Sequence, residues 1–151
     1  IWCDPEAAAV VFASGAAIRM VGYNVTLVTG TSADDIARLR AGGTPASTVA
    51  SLLDFYLGRG RAAASLRIAP MHDVCALVPY VDETLLTYQH VHVAVETQGE
   101  YTRGMTVCDL RTLTEEGRAL RLGLPPNAHV AIASDAPRLI AGVVDALLAY
   151  P

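Results

Sequence analysis

The stretch TYQHVHVAVETQGE, residues 87–100, decides the fold class of this 151-residue chain. Valine occupies every second position from 91 to 95, and histidine or alanine fills the positions between. A period of two residues is typical of a β-strand with one buried face. The overlapping stretch QGEYTRGMTVCDL, residues 98–110, turns through Gly99 and returns, which predicts a hairpin.

Helices are predicted on both sides of this hairpin. The first, CDPEAAAVVFASG at 3–15, opens with Asp4 as N-cap and Pro5 in its first turn, and it stops at Gly15. Four more follow the same start and stop signals. They are TSADDIARLRAGG at 31–43 with Thr31 or Ser32 as cap, PASTVASLLDFYLGRG at 45–60, a helix from His72 through Val81, and DAPRLIAGVVDALLAY at 135–150.

The remaining segments are predicted as strands or irregular chain. AIRMVGYNVTLV at 17–28 and AHVAIASD at 128–135 have the β-branched composition of strands. RGRAAASLRIAP at 59–70 is predicted as a loop or a mobile helix end, and LTEEGRALRLGLPPN at 113–127 as irregular. Strands interspersed with helices predict an α/β fold. We expect one domain over residues 1–151, with so few strands that it suits half of a larger sheet.

Composition excludes several classes of protein. Apolar residues make up 52% of the chain and charged residues 17%, which indicates an ordered globular protein. The formal net charge of -4 gives no electrostatic reason to expect nucleic acid or an anionic membrane as partner. All 11 basic residues are arginine, so a Schiff-base lysine and a phosphate-loop lysine are excluded. No apolar run is long enough to span a bilayer.

The three cysteines are widely spaced and form no C-x-x-C pair. Zinc binding and a redox dithiol are therefore not expected. Reduced, buried thiols are typical of a cytoplasmic protein, and we expect that location here.

A metal site needs clustered ligands, and the chain offers few. Ca²⁺ takes six to eight oxygens, whereas the adjacent acidic pairs are only 34–35, 82–83 and 115–116. The first falls in the first turn of a predicted helix, where negative charge is favourable anyway. His90 and His92 could in principle share a metal, but a solvent-facing strand edge explains them better. His129 carries little signal.

The stretch RIAPMHDVCALVPY, residues 67–80, contains the strongest candidate for chemistry. Its His72-Asp73 pair opens a helix, where unpaired N–H groups and the positive end of the helix dipole favour a carboxylate. Asp73 there could be an ionised metal ligand, and His72 could donate a proton to a leaving group. The alternative is that Asp73 only caps the helix, and spacing alone favours that alternative.

Four stretches, in this order, resemble the inosine-uridine-preferring nucleoside hydrolases. They are IWCDPEAAAVVFASG at 1–15, LLDFYLGRG at 52–60, APMHDVCALVPYVDETLL at 69–86 and VHVAVETQGEYTRGMTVCDL at 91–110. The resemblance covers essentially the whole chain. It implies the C-terminal half of an open, mostly parallel α/β sheet with flanking helices and a late β-hairpin.

The resemblance also implies an activity, namely cleavage of the N-glycosidic bond of purine or pyrimidine ribonucleosides to ribose and a free base. In that family a Ca²⁺ ion holds the attacking water and the ribose. By this resemblance, His72 is the acid near the departing base, Asp73 is a calcium ligand, and Tyr56 lies near the base pocket. An oxocarbenium-like transition state with a neutralised leaving group is consistent with these roles.

The chain also departs from that family. The family's N-terminal aspartate cluster has no counterpart here, and Val74 stands where the family usually has proline. Because one carboxylate cannot assemble a calcium site, we expect this chain alone to bind no Ca²⁺ and to be inactive. Its expected partner is the N-terminal half of the same fold or a second copy of itself. An alternative is a non-catalytic α/β module that acts through self-association.

Overall fold

The structure is a computed structural model. It describes residues 1–64, 67–119 and 123–151, and it leaves out the side chains at 59–64 and 112. The helices of the described ranges are α1 (Pro5–Ala13), α2 (Tyr23–Thr26), α3 (Ala33–Arg40), α4 (Thr44–Ala64), α5 (His72–Leu77), α6 (Glu115–Ala119) and α7 (Ala136–Ala149). The strands are β1 (Arg19–Met20), β2 (Gly30–Thr31), β3 (Ala69–Pro70), β4 (Leu86–Val95), β5 (Thr106–Asp109) and β6 (Ala128–Ser134).

Four strands form a mixed sheet in the order β1-β6-β4-β5. β1 runs parallel to β6, with Met20 opposite Val130. β4 and β5 are antiparallel, with Val93 opposite Cys108, so they form the hairpin predicted from the alternating pattern. The α/β class and the late hairpin are thus confirmed. A second, two-stranded antiparallel sheet joins β2 to β3, and it is not foreseen in the sequence.

The chain divides into two compact units, and the first comprises Ile1–Met20 and Tyr88–Ala131. Its core packs α1 against the sheet through Phe12, Val91, Val93, Ala128 and Val130. Asp4 caps α1, because its carboxylate accepts a hydrogen bond from the amide of residue 7 at 2.9 Å. The helix start and the alternation in β4 were both read correctly from sequence, since they are local properties of the chain.

The hairpin of this first unit ends in an ion pair. Asp109, the last residue of β5, accepts hydrogen bonds from Nε and Nη2 of Arg111 at 2.8 and 2.7 Å. These bonds from Arg111 lower the pKa of Asp109 from 3.8 to about 2. The negative charge of Asp109 therefore helps to fix the chain where it leaves the sheet.

The second unit comprises Val21–Thr87 and Ile132–Pro151, and it is mainly helical. α3 packs against α4 and α7, and the fully buried side chains of Leu39, Leu139 and Val144 belong to these helices. α3 begins with a reciprocal capping box. The amide of Ser32 donates to Asp35 at 2.9 Å, and the amide of Asp35 donates back to the Ser32 hydroxyl at 3.2 Å.

The strand predicted over 17–28 is wrong for most of its length. β1 ends at Met20, and the chain then forms the single turn of α2, in which the amides of Val25 and Thr26 donate to the carbonyl of Gly22. Val25 and Thr26 are both buried in this turn. Tertiary packing therefore outweighs the preference of β-branched residues for strands.

Three other predicted boundaries change. The helix predicted from His72 to Val81 is α-helical only to Leu77 and continues as a short 3₁₀ turn, because Pro79 lacks the amide that a longer helix needs. The segment 113–127, predicted irregular, contains α6. Within 59–70, predicted as a loop or mobile helix end, α4 extends to Ala64, and residues 65–66 lie outside the described residues. None of the helices in the described ranges is long and apolar enough to cross a bilayer.

Replacement of Gly30 tests the contact between β2 and β3. A Cβ at this position would lie 2.6 Å from the carbonyl carbon of Ala69 and 2.8 Å from Cα of Pro70. Because both neighbours are backbone atoms, Gly30→Ala must push the strands apart. We expect it to lower the free energy of unfolding by about 1–3 kcal/mol in urea titration.

The matched control is Gly142→Ala in α7. A Cβ there meets no atom within 4 Å, so it should raise the free energy of unfolding by about 0.5–1 kcal/mol. Equal effects of the two substitutions would contradict a specific requirement for glycine at position 30.

Asp109→Asn tests the ion pair at the end of β5. Since the pKa of Asp109 is lowered in the folded protein, its ionised form stabilises the fold above pH 3.8, and this contribution disappears as the pH falls through 2. The stability difference between wild type and variant should therefore be largest near neutral pH and close to zero at about pH 2, as followed by urea unfolding. Arg111→Gln should reproduce this pH dependence, and a difference that persists in strong acid would refute the assignment.

Candidate active site

The segment before α5 is anchored by backbone pairing. β3 pairs with β2, and the amide of Met71 donates to the carbonyl of Thr29 at 2.9 Å. One turn further, the thiol of Cys75 donates to the carbonyl of Met71 at 3.0 Å. Burial raises the pKa of the Cys75 thiol, so it is a neutral, structural group. His72 therefore starts a helix whose first turn is fixed on both sides.

Two residues of α2 hold the imidazole of His72. The hydroxyl of Thr26 lies 2.8 Å from Nδ1 of His72, and the ring of Tyr23 stacks on it with centroids 5.5 Å apart and planes 15° from parallel. Tyr23 and Thr26 are three positions apart on one helical turn, which puts both on the same side of α2. Because Nδ1 is engaged, Nε2 is the ring nitrogen that a ligand can reach.

Asp73 does not cap α5. The N-cap residue is Met71, and no side chain among the described residues caps it. Asp73 is exposed in the first turn, where the amide dipoles of the helix favour a carboxylate. The cap favoured by spacing alone is thus wrong, and the carboxylate is not used to terminate the helix.

A cavity of about 370 Å³ opens beside this pair. Its walls are mainly apolar, and they bring together the three residues that the sequence singled out for a site, His72, Asp73 and Tyr56. The complete lining is Leu52, Leu53, Tyr56, Pro70, Met71, His72, Asp73 and Val74. Tyr56 is 45% exposed on α4 rather than a core position, as its helical spacing alone suggests. The volume falls within the range of small-molecule sites.

The described residues contain no group of three or more His, Cys, Asp or Glu side chains that could hold a metal ion. His90 and His92 do not share a site. The ring of His90 stacks on that of His129 at 4.3 Å between centroids, and Nδ1 of His92 lies 2.9 Å from the carbonyl of Pro125. By itself, the part of the chain that the structure describes supplies one carboxylate at the cavity, Asp73.

The two residues that contact the imidazole of His72 could not be predicted from the sequence. Thr26 and Tyr23 lie 46 and 49 residues before His72 in a segment whose composition predicts a strand. No local pattern links them to position 72, and only the paired strands β2 and β3 bring them together. An imidazole that is held at one nitrogen and lines a largely apolar cavity can donate a proton to a bound leaving group.

Two curated relatives match most of this chain. The pyrimidine-specific ribonucleoside hydrolase RihA of Citrobacter koseri is 42% identical over 137 residues, covering 89% of this chain and 41% of that protein. RihA of Escherichia coli O17:K52:H18 is 40% identical over 152 residues, covering 99% of this chain and 46% of that protein.

Two solved structures have the same fold. A plant nucleoside hydrolase superimposes with a TM-score of 0.83 and 27% identity, over 97% of this chain and 46% of that one. A purine-preferring ribonucleoside hydrolase from Gardnerella vaginalis gives a TM-score of 0.78 at 28% identity, over 95% of this chain and 43% of that one. The chain thus spans less than half the length of each of these relatives.

The match extends across nearly all of the sequence rather than only the His72-Asp73 motif. Residues 1–141 fit the sequence profile described as inosine-uridine preferring nucleoside hydrolase. That range includes α1, the hairpin and the cavity with its histidine, in the order expected from the four similar stretches. On these grounds, the chain belongs to the inosine-uridine preferring nucleoside hydrolase family.

Proposed function

We propose that this chain forms the part of a ribonucleoside hydrolase site that protonates the departing base. The observation that carries the proposal is the imidazole of His72, held at Nδ1 by Thr26 at 2.8 Å, at the wall of a cavity lined also by Tyr56 and Asp73. The family supports N-ribohydrolase chemistry. We call the complete enzyme that contains this chain, on one polypeptide or two, the intact hydrolase.

The proposed role follows from the electron demand of the reaction. As the bond between C1′ and the base nitrogen breaks, the ribose becomes oxocarbenium-like and the base gains the bonding electrons. Nε2–H of His72 gives its proton to a nitrogen or oxygen of the base, so the base leaves neutral. Water forms the new bond to C1′, and its proton goes to a base outside this chain. A positioned general acid of this kind contributes about 10²–10⁴-fold.

We propose pyrimidine ribonucleosides as the preferred substrates. The relatives that are 40–45% identical to this chain are named pyrimidine-specific, whereas the purine-preferring structure is 28% identical. The apolar side chains of Leu52 and Leu53 and the ring of Tyr56 give the cavity wall a surface on which a flat base can pack.

Calcium is the cofactor that the resemblance implies, and the described residues do not complete a site for it. Ca²⁺ needs six to eight oxygens, and no cluster of three potential ligands exists in the described part of the chain. We propose that Asp73, exposed in the first turn of α5, contributes one ligand and that the other ligands lie outside this chain.

His72→Ala in the intact hydrolase tests the proton donor. We expect kcat for uridine to fall about 10²–10⁴-fold, because the base must then leave as an anion. Hydrolysis of p-nitrophenyl β-ribofuranoside should change little, since nitrophenolate leaves without a proton. Steady-state kinetics measures kcat for both substrates in wild type and variant.

The matched control is His129→Ala, a histidine of the first unit that is not in the lining of the cavity. It should leave both rates near those of the wild type. If His72→Ala lowered kcat equally for uridine and for the nitrophenyl riboside, His72 would not be the proton donor. Its role would then be structural.

A second experiment asks what the chain does without the rest of the fold. We expect calorimetry to detect no Ca²⁺ binding tighter than about 1 mM by this chain, and no release of base from uridine. Mixing or fusing it with the N-terminal portion of the Escherichia coli relative should restore both. Robust turnover by the chain alone would overturn this proposal. Failure to restore activity, together with a stable dimer in sedimentation, would favour the self-association alternative.

A further inference from the structure

Backbone hydrogen bonds join the segment that includes α2 and β2 to the start of α5. Thr29 lies three positions after Thr26, and its carbonyl accepts the amide of Met71 at 2.9 Å. Met71 directly precedes His72. The Thr29 hydroxyl donates to the carbonyl of Val25 at 2.9 Å, which holds the end of α2 against the same path. The hydroxyl of Thr26 and the ring of His72, 2.8 Å apart, therefore belong to two segments that are joined by backbone hydrogen bonds.

We propose that α2 is the positioning element of the proton donor, with Thr26 selecting the nitrogen that carries the transferred proton and Tyr23 fixing the plane of the ring. This inference rests on the proposed role of His72. Neither residue needs to touch the substrate, so both are positioning residues. Thr26 contacts the edge of the imidazole and Tyr23 contacts its face, so together they restrict rotation of the ring.

A hydroxyl can donate to Nδ1 or accept from it, but when both ring nitrogens carry hydrogen it can only accept. In the doubly protonated imidazole, Nδ1–H donates to the Thr26 oxygen and Nε2–H faces the cavity. After Nε2 gives its proton to the base, the ring keeps the Nδ1–H bond, and solvent reprotonates Nε2 once the base has left. The hydroxyl needs no rearrangement during this cycle. Because it is neutral, it orients the ring without supplying a charge of its own.

The environments of the two positioning residues differ, and this makes them separately testable. Thr26 is 4% exposed, so its hydroxyl is shielded from water that could replace His72 as its partner. Tyr23 is 67% exposed, and its stacking with His72 is at the surface. Substitution of Tyr23 therefore changes the ring contact without opening the core of the second unit.

The first test is spectroscopic and uses this chain. Long-range ¹H–¹⁵N NMR of the imidazole of His72 should show the neutral form protonated at Nδ1 in the wild type. Thr26→Val, which keeps the shape and removes the hydroxyl, should shift the population toward protonation at Nε2, the form that unconstrained histidine favours. Thr26→Ser should restore the wild-type signal. An unchanged tautomer in Thr26→Val would overturn the role of Thr26.

The second test is kinetic and uses the intact hydrolase. Thr26→Val should lower kcat for uridine about 10- to 100-fold, the scale expected when a reacting group is slightly misplaced. KM and the rate on p-nitrophenyl β-ribofuranoside should stay near wild type, and Thr26→Ser should recover kcat. Tyr23→Leu should give a smaller loss in the same direction, whereas Tyr23→Phe keeps the ring and should retain kcat.

The control for loss of a buried hydroxyl is Thr31→Val. Thr31 is fully buried, and its hydroxyl has no hydrogen-bond partner among the described residues, so the substitution should change neither substrate's rate. If the Thr26→Val protein does not fold, the two Tyr23 variants still test the inference, because Tyr23 is at the surface. Equal kcat for uridine in Tyr23→Leu and Tyr23→Phe would refute the positioning of the His72 ring by Tyr23.

The outcomes also separate this inference from the proposed function. If His72→Ala selectively impairs uridine hydrolysis while Thr26→Val and Tyr23→Leu do not, the positioning role of α2 is wrong and the proton donor stands. If His72→Ala spares uridine hydrolysis, the proposed function fails, even where Thr26→Val still shifts the tautomer.

Discussion

The pairing of β2 with β3 is the constraint on which the candidate site depends. Only two residues from each strand take part, yet the ladder continues through the amide of Met71 to the carbonyl of Thr29. It can form because Gly30 lets the backbones approach closely, where a Cβ would meet Ala69 and Pro70. His72 begins α5 directly after this ladder, so backbone bonds fix the start of the helix, and Thr26 and Tyr23 then contact the ring.

The second unit, which contains β2 and β3, is held together by hydrophobic packing and by hydrogen bonds between side chains. Helices α3, α4 and α7 supply the buried apolar side chains. Thr29 links this region further, because its hydroxyl lies 2.7 Å from that of Ser134 at the end of β6. Buried hydroxyls that bond to each other and to backbone carbonyls stabilise one arrangement of the chain over others. A proton donor benefits from such support, since its geometry must be maintained to within a fraction of an ångström.

The chemistry at the cavity is divided among different sources. This chain supplies the imidazole, an apolar wall and one carboxylate, all within the second unit. Since the described residues offer no cluster of metal ligands, activation of water is proposed to depend on groups beyond this chain. The first unit, with its four-stranded sheet and its Asp109-Arg111 pair, carries the family's late hairpin. None of the described residues that line the cavity belongs to this first unit.

The sequence by itself determined the elements whose signals are local. Asp4 as the cap of α1 and the valine alternation of β4 each depend on residues a few positions apart, and each is found as predicted. Of the two caps considered for α3, Thr31 and Ser32, the structure has Ser32. The ordered motifs likewise identified the family, and they singled out His72, Asp73 and Tyr56, which line one cavity. Tertiary structure alone decided the helical turn at α2, the β2-β3 pair and the contacts of Thr26 and Tyr23 with His72. The physical reason is that these contacts join residues more than 35 positions apart, and burial of Val25 and Thr26 overrides the strand preference that their local sequence expresses.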